Sequence, residues 1–487
     1  MSPESAWIIQ KLTETAGALP LYLAGGVVRD WLLGRQPVDI DVVVPSGSLE
    51  AASAFARATG GTLVPLDERE GVARVVAMGR AIDFSRFRKG AGTIEQDLLK
   101  RDFSINAMAV AFEDAHDIIS MDHPDSNAIN TLKTRLVDPL GGLRDLAEKR
   151  LRVTGKDAFA EDPLRIMRAF RFAATYGLEI SPDTVTMIKK EADRLNLPAM
   201  ERINHELDLI MRSARAGRMF MAMETLGVLK IIIPETEELT GVEQPGFHHL
   251  DVSAHCLAAL SVMDELVDDP ASGFARPEHY RTWLNGNGNR IAALKWAAFT
   301  HDFGKPRKKK MKDGRITFYN HDAEGADMVK KLAARLRWPH RERDFTVSLV
   351  RLHMRPFHLL TPFGKGQLTK RALTRLLHAT GPDYPALFLL AMADSKAGCG
   401  PLKPPDLDNT LDALGMKVHE YFLKKFSPAV SSPRLLTGND IMKTFRLAPG
   451  PLIGKLLDLV EDATIEGKIT SRKAAEEYIE KCLGKLT

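Results

Sequence analysis

Residues 21–44 read Leu-Tyr-Leu-Ala-Gly-Gly-Val-Val-Arg-Asp-Trp-Leu-Leu-Gly-Arg-Gln-Pro-Val-Asp-Ile-Asp-Val-Val-Val. The apolar run Leu21–Ala24 predicts a strand, Gly25–Gly26 a turn, the next residues a helix, and Val38–Val44 a second strand. Two glycines between strand and helix let backbone N–H groups approach a phosphate, and the helix N-terminus favours its negative charge. Asp39 and Asp41 stand two residues apart on a strand and so share one face. Two carboxylates about 6–7 Å apart along the chain suit Mg²⁺ and the triphosphate it carries. Val72–Met78 and Ala107–Phe112 are further expected strands. Ile82-Asp83-Phe84 reads as another, with Asp83 a third carboxylate able to activate a primer hydroxyl. Two-metal phosphoryl or nucleotidyl transfer needs that arrangement.

Outward from this segment the texture changes. Beyond about residue 145 apolar residues recur at helical spacing, as in Leu164, Met167, Phe170 and Ala174, and again in Leu207, Ile210 and Met211. Pro234–Gly246 reads as a linker, a helical block runs from about His248 to Gly400, and Pro401–Pro405 interrupts it. The fold class is therefore α+β, a mixed α/β head followed by helices. At 487 residues the chain exceeds one typical core. Its net charge of +4 is compatible with a polyanionic partner without demanding one. Cys256, Cys399 and Cys482 lie far apart, as expected of a cytoplasmic protein. A signal-type run and an apolar stretch of about eighteen residues are both missing, so no membrane span is expected.

Leu23-Ala24-Gly25-Gly26-Val27-Val28-Arg29-Asp30 followed by Asp39-Ile40-Asp41 resembles the first motif of class II tRNA nucleotidyltransferases and bacterial poly(A) polymerases, within the polymerase-β superfamily. Further motifs follow in family order. Lys100-Arg101-Asp102-Phe103-Ser104-Ile105-Asn106-Ala107-Met108 resembles the ribose- and phosphate-contacting motif, and Asp138–Leu146 the hinge between head and neck. Glu161-Asp162-Pro163-Leu164-Arg165 resembles the base-reading motif, and Glu201–Leu207 the motif that closes the neck. The resemblance implies Mg²⁺ on Asp39 and Asp41, with Asp83 as their catalytic companion. It also implies nucleotide contacts by Gly25, Gly26, Arg29, Arg101, Asp102, Asn106, Asp162, Arg165 and Arg168. CTP is the expected nucleotide, ATP a second one, and tRNA the macromolecular partner.

The base-reading motif has its own chemical logic. With Asp162 and Arg165 at i and i+3 on a helix, a group that only accepts stands beside one that only donates. Cytosine and adenine present the complementary donor–acceptor edge, whereas uracil and guanine reverse it. The competing reading is an ordinary intrahelical ion pair contributing about 0.3–0.5 kcal/mol. Arg168 and Arg171 continue at three-residue steps, as triphosphate or RNA contacts or as solvated arginines.

In the C-terminal half His255, His301-Asp302 and Asp394 stand in an order that resembles the HD superfamily of metal-dependent phosphohydrolases. His321 and His353 fall where two-metal members keep extra ligands. Imidazoles with carboxylates suit Mn²⁺, Ni²⁺, Co²⁺ or Fe²⁺. The resemblances divide the chain into a head (1–145), a helical neck and body (146–240), an HD domain (241–400) and a helical tail (401–487) expected to bind RNA. The basic run Lys305-Pro306-Arg307-Lys308-Lys309-Lys310-Met311-Lys312 reads equally as a phosphate or acceptor-stem contact and as a solvated loop.

Two departures from the family bear on specificity. CCA-adding members have a longer mobile loop after the Phe-Arg strand end, but here only residues 89–94 separate Phe87-Arg88 from Glu95-Gln96-Asp97-Leu98, while Glu113–Val137 resembles an insertion. The short loop resembles the CC-adding subgroup. Expected activity is addition of two cytidines to the tRNA 3′ end, with complete CCA addition as the alternative. Poly(A) polymerase, and a phosphohydrolase with an inactive head, are further alternatives.

Overall fold

The computed structural model describes residues 3–16, 19–88, 90–115, 118, 121, 125–247 and 249–484. Lys89 of the short loop, residues 116, 117, 119, 120 and 122–124 of the insertion, and His248 lie outside them. The chain separates into two compact units. Met1–Glu206 with Thr225–Ile232 forms one, and Leu207–Glu224 with Ile233–Thr487 the other.

A six-stranded sheet organises the first unit: β1 (Tyr22–Ala24), β2 (Asp39–Val44), β3 (Thr62–Asp67), β4 (Val72–Ala77), β5 (Arg80–Arg86) and β6 (Ala109–Ala111), in the order β3-β4-β5-β2-β1-β6. Within this sheet, among the described residues, β2 and β5 are the one pair that runs parallel. β3 has no counterpart in the sequence reading. All six of its residues are exposed and Pro65 interrupts it, so neither alternation nor an apolar run marks it. The expected strand at Ala107–Phe112 is shorter, because Ser104–Asn106 forms a 3₁₀ turn leading into it. In β2, Ile40 and Val42 are buried while Asp39 and Asp41 are half-buried, so one face joins the core and the other stays open. Val27, Val28 and Trp31 of the helix Gly26–Leu32 are buried, as are Phe55 and Phe84, whose rings sit 5.5 Å apart. Each such side chain contributes roughly 1.5–3 kcal/mol of burial. The insertion leaves from β6 and returns to it, since Ala109 and Val137 exchange backbone hydrogen bonds of 2.8 and 3.0 Å.

Leu164, Met167, Phe170 and Ala174 form the buried stripe of the helix Leu164–Tyr176. A two-residue parallel pair, β7 (Arg150–Leu151) and β8 (Glu179–Ile180), flanks that helix.

The second unit is mostly helical. Its helices Val252–Asp268, Ile291–Thr300, His321–Arg335, His340–Leu352 and Tyr384–Ala397 carry or flank the histidines and aspartates singled out above. A small hairpin, β9 (Lys310–Lys312) and β10 (Arg315–Thr317), starts at the end of the basic run and extends beyond it. Pro234–Glu238, within the expected linker, is a 3₁₀ turn. At the C-terminus, Gly438–Phe445, Pro451–Ile465 and Arg472–Leu483 pack around Ile441, Leu456 and Ile479. Thr437 and Asp440 form a capping box at the first of these helices. Among the described residues, no helix is long and apolar enough to cross a membrane.

Candidate active site and metal centre

The parallel register of β2 and β5 sets Asp41 directly beside Asp83, and the antiparallel register of β5 and β4 sets Asp83 beside Arg74. The three form a row across one sheet face, with Asp39 one step along β2. Arg74, which sequence reasoning missed, binds Asp83 through two hydrogen bonds of 2.7 and 2.8 Å and reaches Asp39 at 3.0 Å. Its only sequence signal is a lone cation inside the otherwise apolar run Val72-Ala-Arg-Val-Val. Burial raises the Asp41 carboxyl to about 6; Arg101 opposes the shift, while Asp83 and Asp39 add to it. A divalent cation relieves that repulsion, so the donor set fits one.

Gly25 shows why the turn needs glycine. Its φ is +80°, and a Cβ there would lie 2.6 Å from the Arg101 guanidinium and 3.3 Å from an Asp41 oxygen. The next amide, of Gly26, donates to Asp41. Arg101 is buried between Asp41 and Asp97, a fully buried carboxylate that also holds the Arg88 amide at 2.8 Å and its guanidinium at 2.9 Å. Arg29 donates to Asn106 at 2.6 Å, lies over the Tyr176 ring at 4.1 Å and bonds its hydroxyl. Arg168 binds Asp102 at 2.6 and 2.9 Å. Burial alone would raise Asp102, but Arg168 and Asn106 hold it well below the usual carboxylate range.

Asp162 requires a correction. It does not share a helix with Arg165: its backbone is extended (φ −141°, ψ 97°), between the short helix Ala158–Glu161 and the helix Leu164–Tyr176. Pro163 is the cause, since the residue before a proline is driven out of the α region. The Asp162 side chain accepts from the Leu164 amide at 3.1 Å and lies 3.7 Å from Arg202. Arg165 donates to the carbonyls of Ala158 (3.4 Å) and Lys100 (3.3 Å). Nevertheless Asp162 and Arg165 line one cavity of about 600 Å³ together with Gly25, Gly26, Arg29, Asp39, Asp41, Asp83, Arg101, Asp102, Asn106 and Arg168. The metal, catalytic and nucleotide-contacting candidates named for the first unit all line that cavity.

The second unit brings its six candidates together as two buried trios, His255–His301–Asp394 and Asp302–His321–His353, each with ligand atoms within 4.8 Å of one another. Asp302 joins them: one oxygen lies 3.2 Å from His301, the other 3.3 Å from His321. His321 and His353 each place Nδ1 on the carbonyl three residues earlier, at 2.8 and 2.6 Å. Their Nε2 atoms then face each other as lone pairs 3.1 Å apart. A shared cation resolves that opposition, so this set also fits a metal. Burial opposes protonation of His301, yet Asp302 and Asp394 raise it to about 10, whereas burial and His301 push His353 down to about 3. Lys305 lies 2.5 Å from Asp302, a partner the sequence reading did not assign. Gly304 is required by packing, because a Cβ there would stand 2.1 Å from the His321 carbonyl oxygen.

A carboxylate row on an open sheet beside a polar cavity, joined to a helical unit with a buried histidine–aspartate cluster, defines a polymerase-type nucleotidyltransferase fused to an HD-type unit. Comparison with known families agrees. Residues 21–152 match the Poly A polymerase head domain, 177–240 the family described as probable RNA and SrmB-binding site of polymerase A, and 252–381 the HD domain. The chain is 32% identical over 466 residues to an A-adding tRNA nucleotidyltransferase of Deinococcus radiodurans, covering 94% of each. It is 31% identical over 472 residues to a CC-adding tRNA nucleotidyltransferase of Geobacter sulfurreducens, covering 96% of this chain and 92% of that one. A solved CCA-adding enzyme in an apo form shares the fold, with TM-score 0.64 and 20% identity over 99% of this chain and 95% of that one. The chain belongs to the tRNA nucleotidyltransferase family and is an enzyme of that class.

Proposed function

We propose that this enzyme transfers cytidylate from CTP to the 3′ end of tRNA in the cytoplasm, releasing diphosphate, and stops after two cytidines. The observation that carries the transfer is the row Asp39–Asp41–Asp83 on the same cavity as Asp162 and Arg165. Asp39 and Asp41 would hold Mg²⁺, and the six HD residues two ions from the Mn²⁺, Ni²⁺, Co²⁺ and Fe²⁺ group; bound, such ions supply Lewis-acid stabilisation of phosphoryl oxygens. The remaining work falls to side chains. Asp83 takes the proton of the primer 3′-hydroxyl, whose oxygen bonds the α-phosphorus as the α–β bridge breaks. Arg101 and Arg29 meet triphosphate charge. Asp162 accepts from the cytosine amino group while Arg165 donates to the ring acceptor.

The halt after two cytidines rests on the short loop. Ala91 donates to the Arg88 carbonyl at 2.9 Å, and Gly92 to the Gln96 side chain at 2.8 Å. Residues 89–94 span at most about 20 Å when extended, and these bonds draw the loop back onto its flanks, leaving little reach over a nucleotide. A second reading, complete CCA addition, is favoured by the accept–donate pattern of Asp162 and Arg165, which suits adenine as well as cytosine. Product length separates the two. A transcript lacking its terminal CCA, given CTP and ATP, is expected to gain two residues; gain of three supports the second reading, and no gain overturns both.

The HD centre is read as a metal-dependent phosphoesterase, and the tail helices as RNA-binding.

A further inference from the structure

The cavity at the HD centre, about 920 Å³, reaches far beyond the metal-type ligands. Its lining includes Asp302, His321 and Asp394, and also Ile316, Thr317, Phe318 and Tyr319. Strand β10 thus leads along the cavity directly into a ligand: the Phe318 carbonyl accepts from His321, and Asn320 turns the chain at φ +63°. Outward from the cavity, β10 pairs with β9 through the two-residue turn Asp313–Gly314, both at positive φ.

The charge on this hairpin lacks an internal explanation. Arg307 and Lys308, just before it, are spent on Glu238 and Glu324. Lys309, Lys310, Lys312 and Arg315 are exposed and, among the described residues, have no carboxylate partner. The register sets Lys312 directly opposite Arg315 and Lys310 opposite Thr317, so three cations share one face. Like charges facing each other across a pair destabilise a hairpin, and a two-stranded hairpin is marginal to begin with. A polyanion laid on this face removes the repulsion. Tyr319 and Phe247, 69% and 48% exposed, line the same cavity and offer aromatic faces for unpaired bases.

We propose that β9–β10 is a strand-gripping element. It holds the backbone of single-stranded RNA while the terminal phosphoester of that strand enters the HD cavity. This rests on the phosphoesterase reading of the HD centre. In the step served, water's oxygen bonds phosphorus, the bond to the ribose oxygen breaks, and that oxygen leaves as the hydroxyl with phosphate as the other product.

The full-length chain tests this with two substrates under Mn²⁺ or Ni²⁺, a hexaribonucleotide bearing a 3′-phosphate and p-nitrophenyl phosphate. The readout is the ratio of their kcat/KM values. In the variant Lys309→Ala/Lys310→Ala/Lys312→Ala/Arg315→Ala that ratio is expected to fall at least about tenfold, through KM of the oligonucleotide. The wild-type salt slope for the oligonucleotide should flatten by roughly 0.7 per cation removed. Tyr319→Ala should lower the ratio without changing the slope, separating stacking from charge. Hydrolysis of p-nitrophenyl phosphate with an unchanged ratio in the hairpin variant overturns the proposal and leaves the phosphoesterase reading standing. Wild-type protein inert on both substrates with Mn²⁺, Ni²⁺, Co²⁺ and Fe²⁺ overturns both.

Discussion

In the head, three carboxylates lie on an open sheet face, and guanidinium groups meet their charge. In the HD centre, two carboxylates and four imidazoles are buried and face one another across distances near 3 Å. An all-oxygen, half-exposed set suits a hard ion that arrives and leaves with a triphosphate. A buried set containing nitrogen suits a borderline ion that stays. The contrast is between a donor set suited to an ion brought with substrate and one suited to an ion held by the fold.

The largest expected effect is a double dissociation. Asp39→Ala or Asp41→Ala should lower nucleotide addition about a thousandfold or more, since several kcal/mol of transition-state stabilisation is lost and each 1.4 kcal/mol is tenfold. Phosphoester hydrolysis should survive. His301→Ala or Asp302→Ala should do the reverse. Either variant losing both activities would merge the two centres into one functional unit and break the contrast.

How far all this was legible in the sequence depends on which interactions are local. Strand alternation placed Asp39 and Asp41 on one face, and motif order assembled the cavity, because both follow from neighbours in the chain. Arg74 was invisible because its role comes from register: β4 pairs with β5, and only the fold sets residue 74 opposite residue 83. The edge strand β3 was invisible because it buries nothing. Asp162 departs from the helical position that its spacing to Arg165 suggests, because Pro163 forces the residue before it out of the α region. In the HD unit motif order names six candidate ligands, but the bridging position of Asp302 between the two trios arises only in the tertiary fold.

A smaller effect sharpens the head's side of the contrast. Asp162→Ala or Arg165→Ala should reduce the preference for CTP over UTP by about 10–100-fold, the 1–3 kcal/mol of a bidentate base contact. Competing-nucleotide kcat/KM values measure it. Full discrimination in both variants would remove base reading from this pair.

Acidity should divide the centres at about tenfold per pH unit. Asp41 titrates near pH 6 in the metal-free fold, so Mg²⁺ affinity should fall as pH drops below about 6. In the unfolded chain the same group ionises near pH 4. Between about 4 and 6 the folded state therefore keeps a proton the unfolded state has lost, and metal-free stability declines as pH rises through that window. His301 keeps its proton to about 10, so ion uptake by the HD centre must expel it. Affinity there should climb with pH through the neutral and alkaline range, with proton release seen by calorimetry in buffers of different ionisation heat. Uptake without proton release would assign the proton elsewhere.

The smallest expected effect concerns Arg74, which occupies in the metal-free head the place of a counter-ion to Asp83 and Asp39. Its side chain is 34% exposed, so solvent screens the pair and its net worth is about 1 kcal/mol. Arg74→Ala should then act in two opposite directions. Without Mg²⁺ three carboxylates are left repelling one another, and the melting temperature should fall by a few degrees. With a competing cation gone, the Mg²⁺ concentration for half-maximal addition should fall by about threefold to fivefold, and saturating Mg²⁺ should restore the melting temperature. Arg74→Lys, one charge without the two-pronged geometry, should lie between wild type and Ala on both measures. If Arg74→Ala instead raises the Mg²⁺ requirement or the KM for CTP, the guanidinium belongs to the substrate-binding set, and the head's ion would share its place with a permanent cation.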